Sequence, residues 1–140
     1  MSEKTVNCVL LADRHHGLTE GVRDLLKTRF EAVIMVADET SLLESARRLH
    51  PTLAIVDLSL ARGDNLGWLH RLRERCPTLK FIVISVHDEP SVRRAVLEVG
   101  ADGFVLKRAL ATDLLPTVES VLAGLGSTAP TAENRVFNLG

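Results

Sequence analysis

Residues 9–18 read VLLADRHHGL, and the way this stretch ends decides the fold. Four apolar residues deliver one carboxylate, Asp13, and Arg14, His15 and His16 follow it. A short apolar run that stops on an acid is the pattern of a buried strand carrying a charged group to the edge of a sheet.

The same pattern recurs along the chain. The first β-rich run covers Val6 to Ala12, and others cover Ala32 to Val36, Leu53 to Val56, Phe81 to Ser85 and Gly103 to Leu106. Between them, apolar residues repeat at helical spacing. The stripes are Leu18, Val22, Leu25 and Leu26; Leu42, Leu43, Ala46 and Leu49; Leu66, Leu69 and Leu72; Val92, Ala95, Val96 and Val99; and Leu110, Leu114, Val118, Val121, Leu122 and Leu125. Five β–α units in a row predict an α/β fold, a parallel sheet with helices on both faces. The strand runs are continuous rather than alternating, as strands buried on both faces should be. Pro51, Gly63, Pro77, Pro90 and Gly100 fall between elements, and Pro90 suits the first turn of the fourth helix. Pro116 interrupts the fifth stripe, so that helix is expected to start at Asp113 rather than Ala109. Residues 5–125 should form one domain. Residues 126–140, GSTAPTAENRVFNLG, read as a flexible tail or linker.

The totals exclude several function classes. The chain has 140 residues, 46% of them hydrophobic and 25% charged, with a net charge of -1. That is enough to bury a core, and it is not the basic footprint of a nucleic-acid binder. The clusters Arg47-Arg48, Arg71 to Arg75 and Arg93-Arg94 read as solvated helix faces. No apolar run approaches the ~20 residues of a membrane helix, and the start MSEKTVN does not read as a signal peptide. Cys8 and Cys76 lack metal-ligand spacing and are expected as free thiols in the cytoplasm.

In an open parallel sheet, ligands bind beyond the carboxyl ends of the strands. The groups expected there are Asp13, Asp57, Ser85 and Lys107, with Asp38 after the second strand. An acid, an acid, a hydroxyl and an amine could support phosphoryl transfer to a carboxylate. Asp57 would be the nucleophile, and Lys107 and Ser85 would meet the incoming oxygens. Asp13 would help hold a divalent cation through hard oxygen. Taken singly, Asp13 could merely cap a helix, Ser85 could be a turn residue and Lys107 could be solvated. There is no GxxxxGK[ST] loop and no GxGxxG after a strand, so nucleotide chemistry and enzymatic turnover are not expected.

VLLADRH, LAIVDLSL, FIVISVHDE and GADGFVLKRA, in that order and spacing, resemble the receiver domain of two-component response regulators. The subgroup is the one usually joined to a helix-turn-helix DNA-binding domain. The resemblance implies a flavodoxin-like (βα)5 fold with strand order 2-1-3-4-5. It implies that Asp57 accepts a phosphoryl group from a sensor histidine kinase. Ser85 stands at the switch hydroxyl, Phe104 at the switch aromatic, and Lys107 at the family lysine. Mg2+ would be held by Asp13, Asp57 and the backbone carbonyl of Ser59. On phosphorylation the hydroxyl would move toward the phosphate and the aromatic inward, altering the face of the fourth helix, fifth strand and fifth helix. A homodimer could form through that face or through the first and fifth helices. Nucleic acid would be contacted only by a linked domain, to control transcription.

The chain departs from the family in three places. Arg14 occupies the second acid position of the strand-one motif, Ala61 and Asn65 replace the usual Pro and Gly, and Phe104 replaces the commoner tyrosine. Arg14 turns a net charge of minus two in the pocket to zero. Two unit charges ~5 Å apart interact by ~3 kcal/mol at an effective dielectric near 20, so Mg2+ should bind weakly. Three readings follow. Arg14 points outward and a weakened Mg2+ site survives; Arg14 pairs with Asp57 and later holds the phosphoryl oxygens; or an Arg14–Asp57 pair locks a degenerate pseudo-receiver that acts as a phosphorylation-independent binding module. His15, His16 and His87 are not expected to bind metal, and Trp68 is expected to be partly buried.

Overall fold

The computed structural model describes residues 7–14, 16–61 and 66–124, and for residues 16–19 the backbone alone. Val6, His15, Gly63, Asn65, Leu125 and the 126–140 tail lie outside the described residues, as does the Leu18 side chain.

Five strands form one parallel sheet in the order β2-β1-β3-β4-β5. They are β1 (Cys8–Ala12), β2 (Ala32–Val36), β3 (Leu53–Asp57), β4 (Phe81–Ser85) and β5 (Gly103–Leu106). Five helices alternate with them: α1 (His16–Lys27), α2 (Glu39–Leu49), α3 (Gly67–Arg75), α4 (Pro90–Val99) and α5 (Leu110–Leu122). This is the expected flavodoxin-like architecture. Side chains alternate across each strand, and the two sets meet different helices. Val9, Leu11, Ile55, Ile82 and Ile84 pack with Val22 and Leu26 of α1 and Leu114 and Val118 of α5. Leu10, Val56, Phe81 and Val83 pack with Leu42 of α2, Leu69 and Leu72 of α3 and Val96 of α4.

The central strands β1, β3 and β4 are buried throughout, whereas edge strand β2 is only half-buried. Its continuous apolar run was expected to be buried on both faces. The edge position leaves Met35 exposed instead. Leu49, expected in the α2 core stripe, is 39% exposed, and Ser45 is buried on that helix. Trp68, expected to be partly buried, is wholly inside between α3 and the sheet. α5 starts at Leu110 and runs through Pro116, rather than beginning at Asp113. Pro116 is exposed, and burial of Leu110, Leu114, Val118 and Val121 along one face outweighs one missing N–H.

Caps fix where the helices begin and end. The Asp38 carboxylate accepts the Ser41 N–H at 2.7 Å and starts α2, so this strand-end acid is a cap. Pro90 stands at the start of α4, as its fixed φ favours, and Gly100 ends that helix at φ +123°. Two of the supposed solvated arginines are structural. Arg71 forks onto Glu39 at 2.6 and 3.0 Å, joining α3 to α2. Arg73 donates to the carbonyls of Cys76, Pro77, Leu79 and Gly100 and to the Asp102 carboxylate, and it lies over the Phe81 ring at 4.6 Å. One guanidinium thus ties the end of α3 to the turn between α4 and β5.

Candidate functional site

β3 carries Asp57 to the end of the sheet, where the register sets it opposite Ile84 of β4. The residue is 1% exposed. The next residues turn into a 3-10 segment, Leu58–Leu60, because the carboxylate accepts two donors from Ser59. Asp57 Oδ1 takes the Ser59 N–H at 2.9 Å and the Ser59 hydroxyl at 3.0 Å. Asp57 Oδ2 takes the Lys107 ammonium at 2.5 Å. Burial pushes the Asp57 pKa up, but the Lys107 and Ser59 hydrogen bonds and the Lys107 charge outweigh it. The carboxyl is held below its ordinary range and is ionised at neutral pH. An ionised carboxylate cradled by one ammonium and one hydroxyl has the chemistry to act as a nucleophile, with an electrostatic partner for oxyanions beside it.

Ser85 ends β4 and is buried. Its hydroxyl oxygen accepts the His87 N–H at 2.9 Å, which folds the chain sharply after the strand. Lys107 follows β5 directly, since Ser85 pairs in register with Leu106. Phe104 faces the α4 side of the sheet and is 3% exposed, packed in one cluster with Val83 and Val96. The inward turn expected on phosphorylation therefore already stands in this structure. A phenyl ring has no hydroxyl to keep wet, and burial stabilises it by about 1.5–3 kcal/mol.

Arg14, Asp57, Ser85 and Lys107 line one cleft of about 1090 Å3, with Leu58, Leu66, Val86 and Val92 along its apolar side. Asp13 does not line that cleft. It is buried, 5% exposed, and its backbone N–H is bonded to Val36 O at 3.0 Å across to β2. The structure brings together three of the four strand-end groups and adds Arg14. Arg14 is half-buried and forms no hydrogen bond or ion pair among the described residues. The Arg14–Asp57 pair that two of the three readings required is therefore absent, because Lys107 and Ser59 already occupy that carboxylate.

The charge around these donors disfavours a divalent cation. Mg2+ needs near-octahedral oxygen at short range. Among the described residues no three His, Cys, Asp or Glu side chains stand together. The residue after Asp13 brings a positive charge to the cleft where the resemblance expects a second acid.

Other polar features stand apart from this pocket. Arg108, just past Lys107, pairs with Asp88 at 3.0 Å and bridges the segments that follow β5 and β4. Sequence reasoning missed this link, as it missed the Ser59 hydroxyl; the Asp-Leu-Ser spacing of an Asx turn was the available signal. Cys8 and Cys76 are free thiols, and burial raises both pKa values, which makes them poor nucleophiles. No helix among the described residues is long and apolar enough to cross a membrane.

Comparison with known proteins agrees with this geometry. The family model described as the response regulator receiver domain matches residues 9–119. The chain is 29% identical over 118 residues to the transcriptional regulatory protein DegU of Brevibacillus brevis, covering 83% of this chain and 50% of DegU. It is 33% identical over 109 residues to the nitrate/nitrite response regulator protein NarP of Escherichia coli strain K12, covering 76% and 51%. The non-phosphorylated receiver domain of the stress response regulator RcsB from Escherichia coli superposes with a TM-score of 0.78 at 26% identity, covering 89% of this chain and 98% of that one. The chain spans about half the length of the curated relatives it matches. With its sheet order, strand-end carboxylate and lysine in place, the chain belongs to the response regulator receiver domain family.

Proposed function

We propose that this domain accepts a phosphoryl group on Asp57 from a sensor histidine kinase and relays the event as a change of protein contacts. The observation that carries this reading is the Asp57–Lys107 pair: a buried, ionised carboxylate beside an ammonium at the mouth of an open cleft. Ser85 would donate its O–H to the phosphoryl oxygens, rotating away from the His87 N–H that its oxygen now accepts, in exchange for the phosphate. That exchange would pull on the segment after β4, where Asp88 holds Arg108, and so reach the face of α4, β5 and α5. Phe104, already inside, would take little further part.

By this reading, residues 5–125 form the receiver and 126–140 a linker to an output domain. The relatives' names support such an arrangement, since DegU is called a transcriptional regulatory protein. RcsB has been described as dimers bound to DNA. Two copies of this domain would meet through α4, β5 and α5 or through α1 and α5, and DNA would be left to the linked domain. Incubation with a small acyl phosphate, followed by intact-protein mass spectrometry, tests the reading. One added phosphoryl group on the natural chain and none on Asp57→Asn is the expected result. Equal labelling of both proteins would remove Asp57 from the role.

A further inference from the structure

We infer that the Arg14 guanidinium does the work of a metal ion here, holding the phosphoryl group on Asp57 together with Lys107. The inference rests on the reading of Asp57 as phosphoacceptor and adds the means by which the charge is met. It begins from topology. β1 and β3 are adjacent, and Ala12 pairs with Val56, so Asp13 stands level with Asp57 and Arg14 one residue beyond it. Neighbouring strands lie about 4.8 Å apart, within the span of an arginine side chain. Arg14 and Asp57 line the same cleft. Arg14 has no competing partner among the described residues, so moving it costs no existing bond.

Charge points the same way. The ionised side chains that line the cleft are Asp57, Arg14 and Lys107, and with Asp13 on the adjacent strand the local charge is zero instead of minus two. A divalent cation entering that cleft is no longer drawn in, whereas an incoming phosphoryl group meets two cations. After transfer the carboxylate charge is gone and the phosphoryl group carries close to two negative charges. Arg14 and Lys107 then balance it. The two cations divide the task by shape. Lys107 is a point charge already fixed at Asp57, and the arginine fork can take two phosphoryl oxygens at once.

The transfer needs no further reactant. An Asp57 carboxylate oxygen attacks phosphorus, and the new P–O bond forms as the bond to the leaving group breaks. With an acyl phosphate the departing electron pair stays on a carboxylate oxygen. With a phosphohistidine it stays on the ring nitrogen. Charge on the phosphoryl oxygens in the transition state is what Arg14 and Lys107 would stabilise.

The test is the rate of labelling by a small acyl phosphate, followed by intact mass, in excess EDTA and in Mg2+. The proteins are the natural chain, Arg14→Gln, Arg14→Lys, Arg14→Asp and Asp57→Asn, each checked by circular dichroism. The natural chain should label in EDTA as fast as in Mg2+. Arg14→Gln should fall about a hundred-fold in EDTA, the loss typical of removing one oxyanion donor, and Arg14→Lys should recover part of it. Arg14→Asp should label only in Mg2+. Labelling of the natural chain only with Mg2+ would overturn the inference and leave Asp57 as acceptor. So would equal rates for the natural chain and Arg14→Gln in EDTA. No label on the natural chain in either condition would overturn the phosphoacceptor reading and this inference together. If Arg14→Asp then labelled in Mg2+, the arginine would be shown to block the site rather than serve it.

Discussion

Replacing Lys107 by methionine should destabilise the domain in a way that depends on pH. Asp57 is 1% exposed and its Oδ2 rests on the Lys107 ammonium at 2.5 Å. Removing one partner of a buried ion pair costs about 3–5 kcal/mol, because the other charge stays buried without compensation. Here the Ser59 N–H and hydroxyl remain at 2.9 and 3.0 Å, and the cleft admits water. Those two donors reduce the expected loss to about 2–4 kcal/mol at pH 7. In the natural protein the Asp57 pKa lies below its ordinary value. Its ionised form therefore contributes stability above the unfolded pKa of about 3.9, and that contribution is lost as pH falls through the lower folded value. In Lys107→Met the Lys107 contributions are lost, and burial, the largest single cause, is expected to outweigh the two Ser59 hydrogen bonds. The folded carboxyl then sits above 3.9, and its penalty is relieved as pH falls through the new value. The gap between the two proteins should be largest at pH 7 and should shrink steadily in the acid range. Urea denaturation of both at several pH values measures it, with Asp57→Asn/Lys107→Met as the control that removes the charge. A gap below about 1 kcal/mol at pH 7, or one that stays constant down to the unfolded carboxylate pKa, would refute this account of the pair.

Three further substitutions probe the frame around the site. Arg73→Met removes five hydrogen bonds and the stacking on Phe81, and should cost about 3 kcal/mol in chemical denaturation; a solvated arginine would cost almost nothing. In Gly103→Ala the new methyl would stand 2.9 Å from Thr117 Cγ2, 3.2 Å from Ile82 Cγ1 and 3.3 Å from Val121 Cγ2. Because α5 must move off β5, the expected loss is about 1–3 kcal/mol, read as a lower denaturation midpoint. Glu119→Gln breaks the partly exposed Arg29–Glu119 pair between the turn after α1 and α5, at 2.5 Å. It should cost under about 1 kcal/mol, and the difference should fade at high salt.

Much of this structure is written locally in the chain. β4 was legible to the residue, because Phe81 to Ile84 are uninterrupted, β-branched or aromatic, and bounded by the polar Lys80 and Ser85. The strand order was not read from periodicity. It came from the match of four strand-end motifs to a known family. What escaped was non-local. The exposure of Leu49 and the burial of Trp68 depend on how α2 and α3 roll against the sheet, which stripes only approximate. Pro116 moved the expected start of α5 to Asp113 because its local cost is plain in sequence, whereas the burial that overrides it is tertiary. Asp13 and Asp57 looked equivalent as strand-end acids. In the structure both are buried, the Asp13 backbone N–H is bonded to Val36 of β2, and only Asp57 lines the cleft. The bond from Arg73 to Gly100 joins residues 27 apart in sequence, and no spacing rule reaches that far.

Position 57 is where the account is most exposed to test. Treatment of the acyl-phosphate-labelled protein with borohydride converts a phosphorylated aspartate to homoserine, which fragmentation of peptides then locates. Homoserine is expected at position 57 in the natural chain, formed as readily in EDTA as in Mg2+, and about a hundred-fold more slowly in Arg14→Gln in EDTA. Homoserine at another aspartate, or at none, would contradict it.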